Sequence, residues 1–486
     1  MKADLTFNIF AVAVLCAWVP VVFLLFAFMP ARRAVILSII FGYLFLPEVS
    51  FTIHTLPNIN KISLSMVGVI LASLCFDGAR LFSFKVRLID LCVMVLTLSP
   101  MATSLSNGLG IMDGFSTSLN MLFSWGMAYW IGRAYFGDWS AVRELVNGII
   151  VGGLAYVPFC WWETRMSPML MWKIYGMASA DFRLDNSLFG VHLPGFRPNV
   201  FLANGLSVTM LMGTCTILAY WTWQTGAPKR ILGYSTGWIT FVLFFTTVFS
   251  CKAVGGIFLM LSGISALALT RYWPKTRVGV LVMMFIAPVY IAVRTAGEWS
   301  GDVMVQAANV LSSTRAESLE FRLKNEDLLA AKALERPFLG WGGWSRSHVY
   351  DLDDKDITIS DGLWIISLGE RGFVGLGAFI LMVIGSAYLV WRRIPTAFWS
   401  DPACSGAVAL MVVITVYMVD GIVNATFSPI ACISTGAIAS TGVIAQRTFS
   451  RRGLLAQPAA VPAAAKTPAF VSSVKDLPYG YSPARS

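Results

Sequence analysis

Apolar stretches of about 20 residues recur almost from end to end of this chain, and that pattern leaves few folds open. Hydrocarbon offers backbone N–H and C=O groups no partner, so a crossing segment of this length must satisfy them as a helix. The runs fall near 8–29, 34–53, 62–77, 88–105, 115–136, 142–162, 200–221, 231–250, 252–270, 278–294, 362–391, 404–420 and 428–446, about thirteen spans, with 12 to 14 as the range. Around Ser250 a helix break and a loop read alike. Composition agrees, since 57% of residues are hydrophobic and 13% charged, where a soluble domain carries roughly a quarter charged residues. The predicted fold is an all-α, polytopic transmembrane helical bundle.

Every second connection is basic: Arg32/Arg33, Arg80–Arg87, Arg133–Arg143, Lys229/Arg230, Arg271–Arg277, Arg392/Arg393 and Arg447–Arg452. The alternate connections 106–114 and 421–427 hold no Lys or Arg, and 48–61 holds only Lys61. The positive-inside rule places the basic set in the cytoplasm, with the N-terminus outside the inner membrane and the C-terminus inside. The formal charge of +10 is then topogenic and lipid-facing, and no basic patch with interleaved aromatics indicates nucleic acid. The first run is too long for a signal-peptide core and reads as a retained span. Eight cysteines without a C-x-x-C pair indicate neither a disulfide framework nor a zinc site. The 17 tryptophans gather near span ends as an interfacial belt.

The integral membrane domain is expected over 1–452, including outer loops 163–199 and 295–361. A Pro/Ala-rich, disordered cytoplasmic tail is expected over 453–486. The larger outer loop reads as partly helical, with Leu319, Leu323, Leu328, Leu329, Ala333 and Leu334 on one face and Pro337 ending the helix. Gly340-Trp-Gly-Gly-Trp344 follows as a tight backbone path. An acidic stretch, Asp351–Asp356, then precedes re-entry at Asp361. That acidic stretch reads as a solvated loop, and neither a metal nor another cofactor is expected.

Four short motifs carry a resemblance. They are Phe196-Arg-Pro-Asn-Val-Phe-Leu-Ala203, Phe249-Ser-Cys-Lys-Ala-Val-Gly-Gly256, Pro337-Phe-Leu-Gly-Trp-Gly342 and Gly369-Glu-Arg-Gly-Phe-Val-Gly375. With the basic helix Arg322–Leu334, their order over roughly residues 195–380 resembles the O-antigen ligase and polysaccharide polymerase superfamily. Lys252 stands where that family usually has Arg. Ile359-Ser-Asp-Gly362 stands where it commonly has His-Asn, the nearest histidine being His348. The resemblance implies transfer of a glycan from an undecaprenyl-diphosphate carrier to an acceptor hydroxyl, on a glycan or lipid, at the outer membrane face.

Such a reaction needs fixed cations where a diphosphate departs and a base for the acceptor hydroxyl. Arg197, Lys252 and Arg322 are the candidates for the diphosphate clamp. His348 and Asp361 are alternative bases. Each has a plainer role: Arg197 in a loop or cap, Lys252 snorkelling, Arg322 in an i,i+4 pair with Glu326, Asp361 as a helix N-cap. His54, His192 and His348 all fall in expected outer loops without metal-ligand spacing. A small-solute or bicarbonate-type transporter is the alternative, but Glu163, Asp420, Asp77 and Asp90 lie near span ends or loops rather than mid-span.

Overall fold

A computed structural model describes residues 9–51, 58–177, 187–188, 191–192, 194–297, 299, 301–311, 313–343 and 345–451. His54, Trp344 and the expected tail 453–486 lie outside the described residues. The helices are α1 (Ile9–Phe28), α2 (Ala31–Phe45), α3 (Lys61–Leu81), α4 (Leu88–Ser106), α5 (Ile111–Met121), α6 (Met127–Tyr135) and α7 (Trp139–Met166). Next come α8 (Leu170–Tyr175), α9 (Gly205–Thr225), α10 (Thr236–Thr246), α11 (Val254–Tyr272) and α12 (Arg277–Thr295). The last five are α13 (Asp302–Leu311), α14 (Ser313–Leu334), α15 (Leu363–Arg393), α16 (Ser405–Asp420) and α17 (Pro429–Arg451). Three two-residue antiparallel hairpins are the only sheet among the described residues.

Helix starts follow local chemistry. Asn60 accepts the N–H groups of Ile62 and Ser63 at 2.9 Å, Asp138 accepts Ala141, and Asn204 accepts Ser207. Each satisfies donors that the first turn leaves without a partner.

Each expected apolar run coincides with helix, and eight of these helices are long and apolar enough to cross a membrane. The other five runs hold α2, α5 with α6, α10 and α16, which are shorter or interrupted, and α17, whose apolar part among the described residues is Pro429–Thr441. A π-helical turn, Leu122–Gly126, joins α5 to α6. Near Ser250 a second π-turn, Thr247–Cys251, runs into a left-handed Lys252 and then α11, so the feature there is a tight break.

Several boundaries differ from expectation. Helix α2 ends at Phe45 rather than near 53, α7 runs on to Met166, and α9 starts at Gly205 rather than near 200. Pro194, Pro198 and a left-handed Val200 keep that apolar stretch irregular.

Helices α9 and α16 are buried on nearly every face. Helices α7, α10 and α11 pack on α9, while α11, α12, α15 and α17 pack on α16. The peripheral helices turn apolar side chains outward, as with Leu24 on α1, Leu98 on α4 and Val282 on α12. Water would penalise such a surface and hydrocarbon does not. One buried ion pair sits at helix ends: Arg133 near the end of α6 grips Asp90 near the start of α4 at 2.8 and 2.9 Å, and Tyr129 adds a third bond at 2.7 Å.

Candidate functional site

The site is built where α15 breaks. Gly372 has φ +61° and ψ −166°, a conformation open essentially only to glycine, and it divides α15 into a short and a long piece. The break frees backbone groups that Pro337–Gly342 satisfies. Phe373 and Val374 donate to the carbonyls of Pro337 (2.7 Å) and Phe338 (3.1 Å). In the other direction, Trp341 and Gly342 donate to the carbonyls of Gly369 (2.8 Å) and Glu370 (3.0 Å). A Cβ at Gly372 would stand 2.3 Å from the Phe338 carbonyl carbon, and one at Gly340 2.6 Å from the Arg371 nitrogen. Two motifs singled out in the sequence therefore dock backbone to backbone.

Trp341 locks this joint. Its Nε1 donates to the Lys332 carbonyl at 2.7 Å, and Lys332 and Arg336 lie over its ring at 3.9 and 4.1 Å. Asn107, just past α4, donates to the Gly340 carbonyl at 2.9 Å.

Helix α14 positions Arg322. Its buried stripe is Ala316, Leu323, Glu326, Ala330 and Ala333, with Leu329 beside it. Leu328 and Leu334 point outward instead, because at 100° per residue Leu328 lies half a turn from Leu319. The expected Arg322–Glu326 pair does not form. Glu326 faces inward, accepting the Tyr290 hydroxyl at 2.6 Å with the Arg294 guanidinium at 3.5 Å. Burial pushes its carboxyl up, while Tyr290 and Arg294 pull it back. Arg294 also reaches Asp327 at 2.8 Å and the Leu323 carbonyl at 3.0 Å, fastening α14 to α12.

Arg322 instead pairs with Asp361, Nε to Oδ2 at 3.3 Å, both partly exposed. The structure thus brings two of the candidate residues together. Gly362, not Asp361, occupies the N-cap of α15.

His348 lies on the same side of α15. Its Nδ1 contacts Asp356 Oδ2 at 2.6 Å, and its Nε2 contacts the Ser360 hydroxyl at 3.3 Å. The acidic stretch folds into a small loop, in which Asp351 accepts the N–H groups of Asp353 and Lys355 at 2.9 Å. Desolvation alone would raise Asp356. His348 and the Thr358 N–H and hydroxyl outweigh it and hold that carboxyl below its ordinary range. His348, Ser345, Ser360 and Glu370 line a cavity of about 280 Å³.

Next to it opens a cavity of about 1050 Å³, which shares Ile366 and Glu370 with the His348 cavity. Small-molecule sites range over about 300–1000 Å³. Its lining is mixed: Arg346, Asp113, Asn120, Ser116, Glu370 and Arg371 are joined by Leu109, Met112, Met121 and Trp125. Arg346 holds Asp113 through two contacts at 3.1 and 3.4 Å. Arg371, 5% exposed, reaches Ser367 Oγ at 3.1 Å and Glu370 at 3.5 Å, and its buried Nε has no described hydrogen-bond partner.

Arg371 and Arg346 are the residues that sequence reasoning missed. Arg371 stood inside the quoted Gly369–Gly375 motif. Arg346 pairs with a residue 233 positions away, which no local pattern could reveal.

Arg197 and Lys252 are built by other elements. Glu163 near the end of α7 accepts the N–H groups of Leu170 (2.9 Å), Asn199 (2.8 Å) and Val200 (2.7 Å). Tyr156 and Lys61 satisfy Phe201, through its N–H and its carbonyl. This buried irregular stretch is tolerated because its backbone is satisfied. Lys252 is buried, donates to the Pro194 carbonyl at 2.6 Å and lies close enough to Arg197 to feel its charge. These two are therefore brought together, Arg197 in the irregular stretch before α9 and Lys252 in the break before α11, while Arg322 sits on α14 and Asp361 just before α15. His192 lies in the second strand of the 187–192 hairpin.

No protein-family model matches the chain, and no curated protein matches it.

Proposed function

We propose that this is an inner-membrane glycosyltransferase that moves a glycan from an undecaprenyl-diphosphate carrier to an acceptor hydroxyl, as a polysaccharide polymerase or ligase. About thirteen spans, an outward N-terminus and an outward 295–361 segment belong to the same proposal. The observation that carries it is Arg371, a buried arginine at a helix break lining a roomy cavity of mixed polar and apolar walls, next to the cavity that His348 lines. A guanidinium stays charged and binds phosphate oxygens in pairs, and Glu370 at 3.5 Å is a loose partner that leaves room for a second anion.

In this reading the acceptor oxygen attacks the anomeric carbon. The bond from that carbon to the diphosphate oxygen breaks, and the diphosphate leaves with the bonding electrons. Arg371 and Arg346 stabilise the departing charge in the larger cavity, with Arg322 set against Asp361 at its flank. The acceptor proton passes to His348, whose ring Asp356 orients, or to Asp361. Arg197 and Lys252 then hold a separate portion of the carrier or brace the 194–203 stretch. The transport alternative draws less support, because the buried pair Arg133–Asp90 sits at helix ends, away from any mid-span path.

Gene deletion with surface polysaccharide as readout tests this. Loss of long chains marks a polymerase, and long chains left on the carrier mark a ligase. Unchanged polysaccharide would refute both.

A further inference from the structure

The loop between Ser345 and Asp361 carries a second arrangement of reactive groups. Its two arms run antiparallel: Tyr350 bridges to Asp356, and Ile357 donates to the Val349 carbonyl at 3.1 Å. That pairing sets His348 and Asp356 side by side. Asp356 gives Oδ1 to the Thr358 N–H and hydroxyl, both at 3.0 Å, and turns Oδ2 to His348 Nδ1 at 2.6 Å. Thr358 in turn accepts the Val349 N–H at 3.2 Å. Ile359 donates to Asn325 Oδ1 of α14 at 2.9 Å, which fixes the chain one residue before Ser360.

A carboxylate on Nδ1 holds the imidazole proton there and leaves Nε2 basic. What Nε2 meets is the Ser360 hydroxyl, at 3.3 Å. The contact is longer than an ideal hydrogen bond, as nucleophile–base contacts often are until substrate tightens them. Acid, imidazole and hydroxyl thus stand in the order that makes a serine oxygen nucleophilic, and such a set is recognised by geometry rather than by sequence position. Ser360 opens on the cavity of about 280 Å³, whose other walls include Leu329, Ile365 and Glu370. Its size and apolar walls suit a short acyl group, and the Glu370 carboxylate disfavours an anionic one.

We propose that Asp356, His348 and Ser360 form a serine-esterase centre acting on esters of short, neutral acyl groups. Ser360 Oγ bonds to the ester carbonyl carbon as His348 Nε2 takes its proton. The bond from that carbon to the alcohol oxygen then breaks, and the alcohol leaves with the proton from His348. Water attacks the acyl-serine and passes its proton through His348 to Ser360 Oγ, and the carboxylic acid departs. The sum is ester plus water giving acid plus alcohol. The inference goes beyond glycan transfer and does not depend on it.

The test treats the full chain in nanodiscs with a fluorophosphonate, which phosphonylates activated serines, and maps the adducts by peptide mass spectrometry. An adduct on Ser360 is expected, with Ser345 and Ser347 of the same cavity unmodified. The protein should also hydrolyse p-nitrophenyl acetate, and prior phosphonylation should stop it. His348→Gln and Asp356→Asn should each slow labelling by about 10²-fold or more. Ser360→Ala, which removes one partly buried oxygen, should abolish labelling and hydrolysis with thermal unfolding unchanged. A His348–Asp356 contact that only closes the loop predicts no adduct. Absence of an adduct on Ser360, adducts spread equally over the three serines, labelling undiminished in His348→Gln, no hydrolysis by the wild type, or hydrolysis surviving Ser360→Ala would each overturn the proposal.

Discussion

Gly372→Ala tests whether the break in α15 holds the site together. Its φ of +61° with ψ −166° costs a side-chain-bearing residue about 1–3 kcal/mol. The added methyl would also lie 2.3 Å from the Phe338 carbonyl carbon, so the Pro337–Gly342 segment must move away. That movement weakens the bonds from Phe373 to Pro337 and from Val374 to Phe338, each worth about 0.5–1.5 kcal/mol. Together the joint loses about 2–6 kcal/mol, with a central value near 4 kcal/mol. Local opening should then rise by about 10³-fold, at 1.4 kcal/mol per tenfold.

Amide exchange at Trp341 and Gly342, which donate across the joint, reads this directly in detergent or nanodiscs. Gly377→Ala is the control, because nothing lies within 4 Å of its added Cβ and helix propensity favours alanine by about 1 kcal/mol. Wild-type protection at Trp341 and Gly342 in Gly372→Ala would refute the reasoning.

Other expectations follow from the same contacts. Arg322→Ala and Asp361→Ala should leave thermal stability within about 1 kcal/mol, because their pair is partly exposed, yet lower glycan output sharply. Loss of stability matching the loss of output would deny Arg322 a chemical role. Glu326→Ala should do the reverse, costing about 3 kcal/mol by exposing buried Arg294 to fewer partners, as read by thermal unfolding. Asp356 has a depressed folded pKa, so its stabilisation is present above the ordinary carboxylate range and lost as pH falls through the folded value. Pepsin cleavage within 350–357 should therefore rise from about pH 5 to about pH 3, and Asp356→Asn should flatten that dependence. An unchanged profile in the variant would remove Asp356 as its cause.

Much of the architecture was legible because hydrocarbon demands long apolar helices, and the run positions follow from that demand alone. Helix starts were less so: Asp138 and Asn204 cap α7 and α9, whose runs hydropathy put at 142 and 200 rather than at Trp139 and Gly205. The break near Ser250 showed as a gap between two runs, though not its left-handed Lys252. Gly372 interrupts the run 362–391 through backbone conformation, which hydropathy does not record.

Charge pairing along α14 misled for a related reason. Spacing allowed Arg322–Glu326, but packing against α12 turned Glu326 inward to Tyr290 and Arg294 and left Arg322 to Asp361. His348 was visible as a residue between two motifs. Its partners Asp356 and Ser360 became evident only once the loop was folded. Arg371 was hidden in plain view, since a basic residue in an apolar helix gains meaning from the cavity it lines.

Purified protein reconstituted in liposomes with an undecaprenyl-diphosphate oligosaccharide and an acceptor glycan tests the proposed chemistry most directly, with mass spectrometry following both products. Wild-type protein should release undecaprenyl diphosphate and form an equal amount of lengthened acceptor. Arg371→Ala should slow both by about 10²–10³-fold, the usual effect of removing one electrostatic stabiliser, and Arg371→Lys should recover only part of the loss. Turnover at the wild-type rate in Arg371→Ala would contradict the site, and failure of correctly folded wild-type protein to release any undecaprenyl diphosphate would contradict the function.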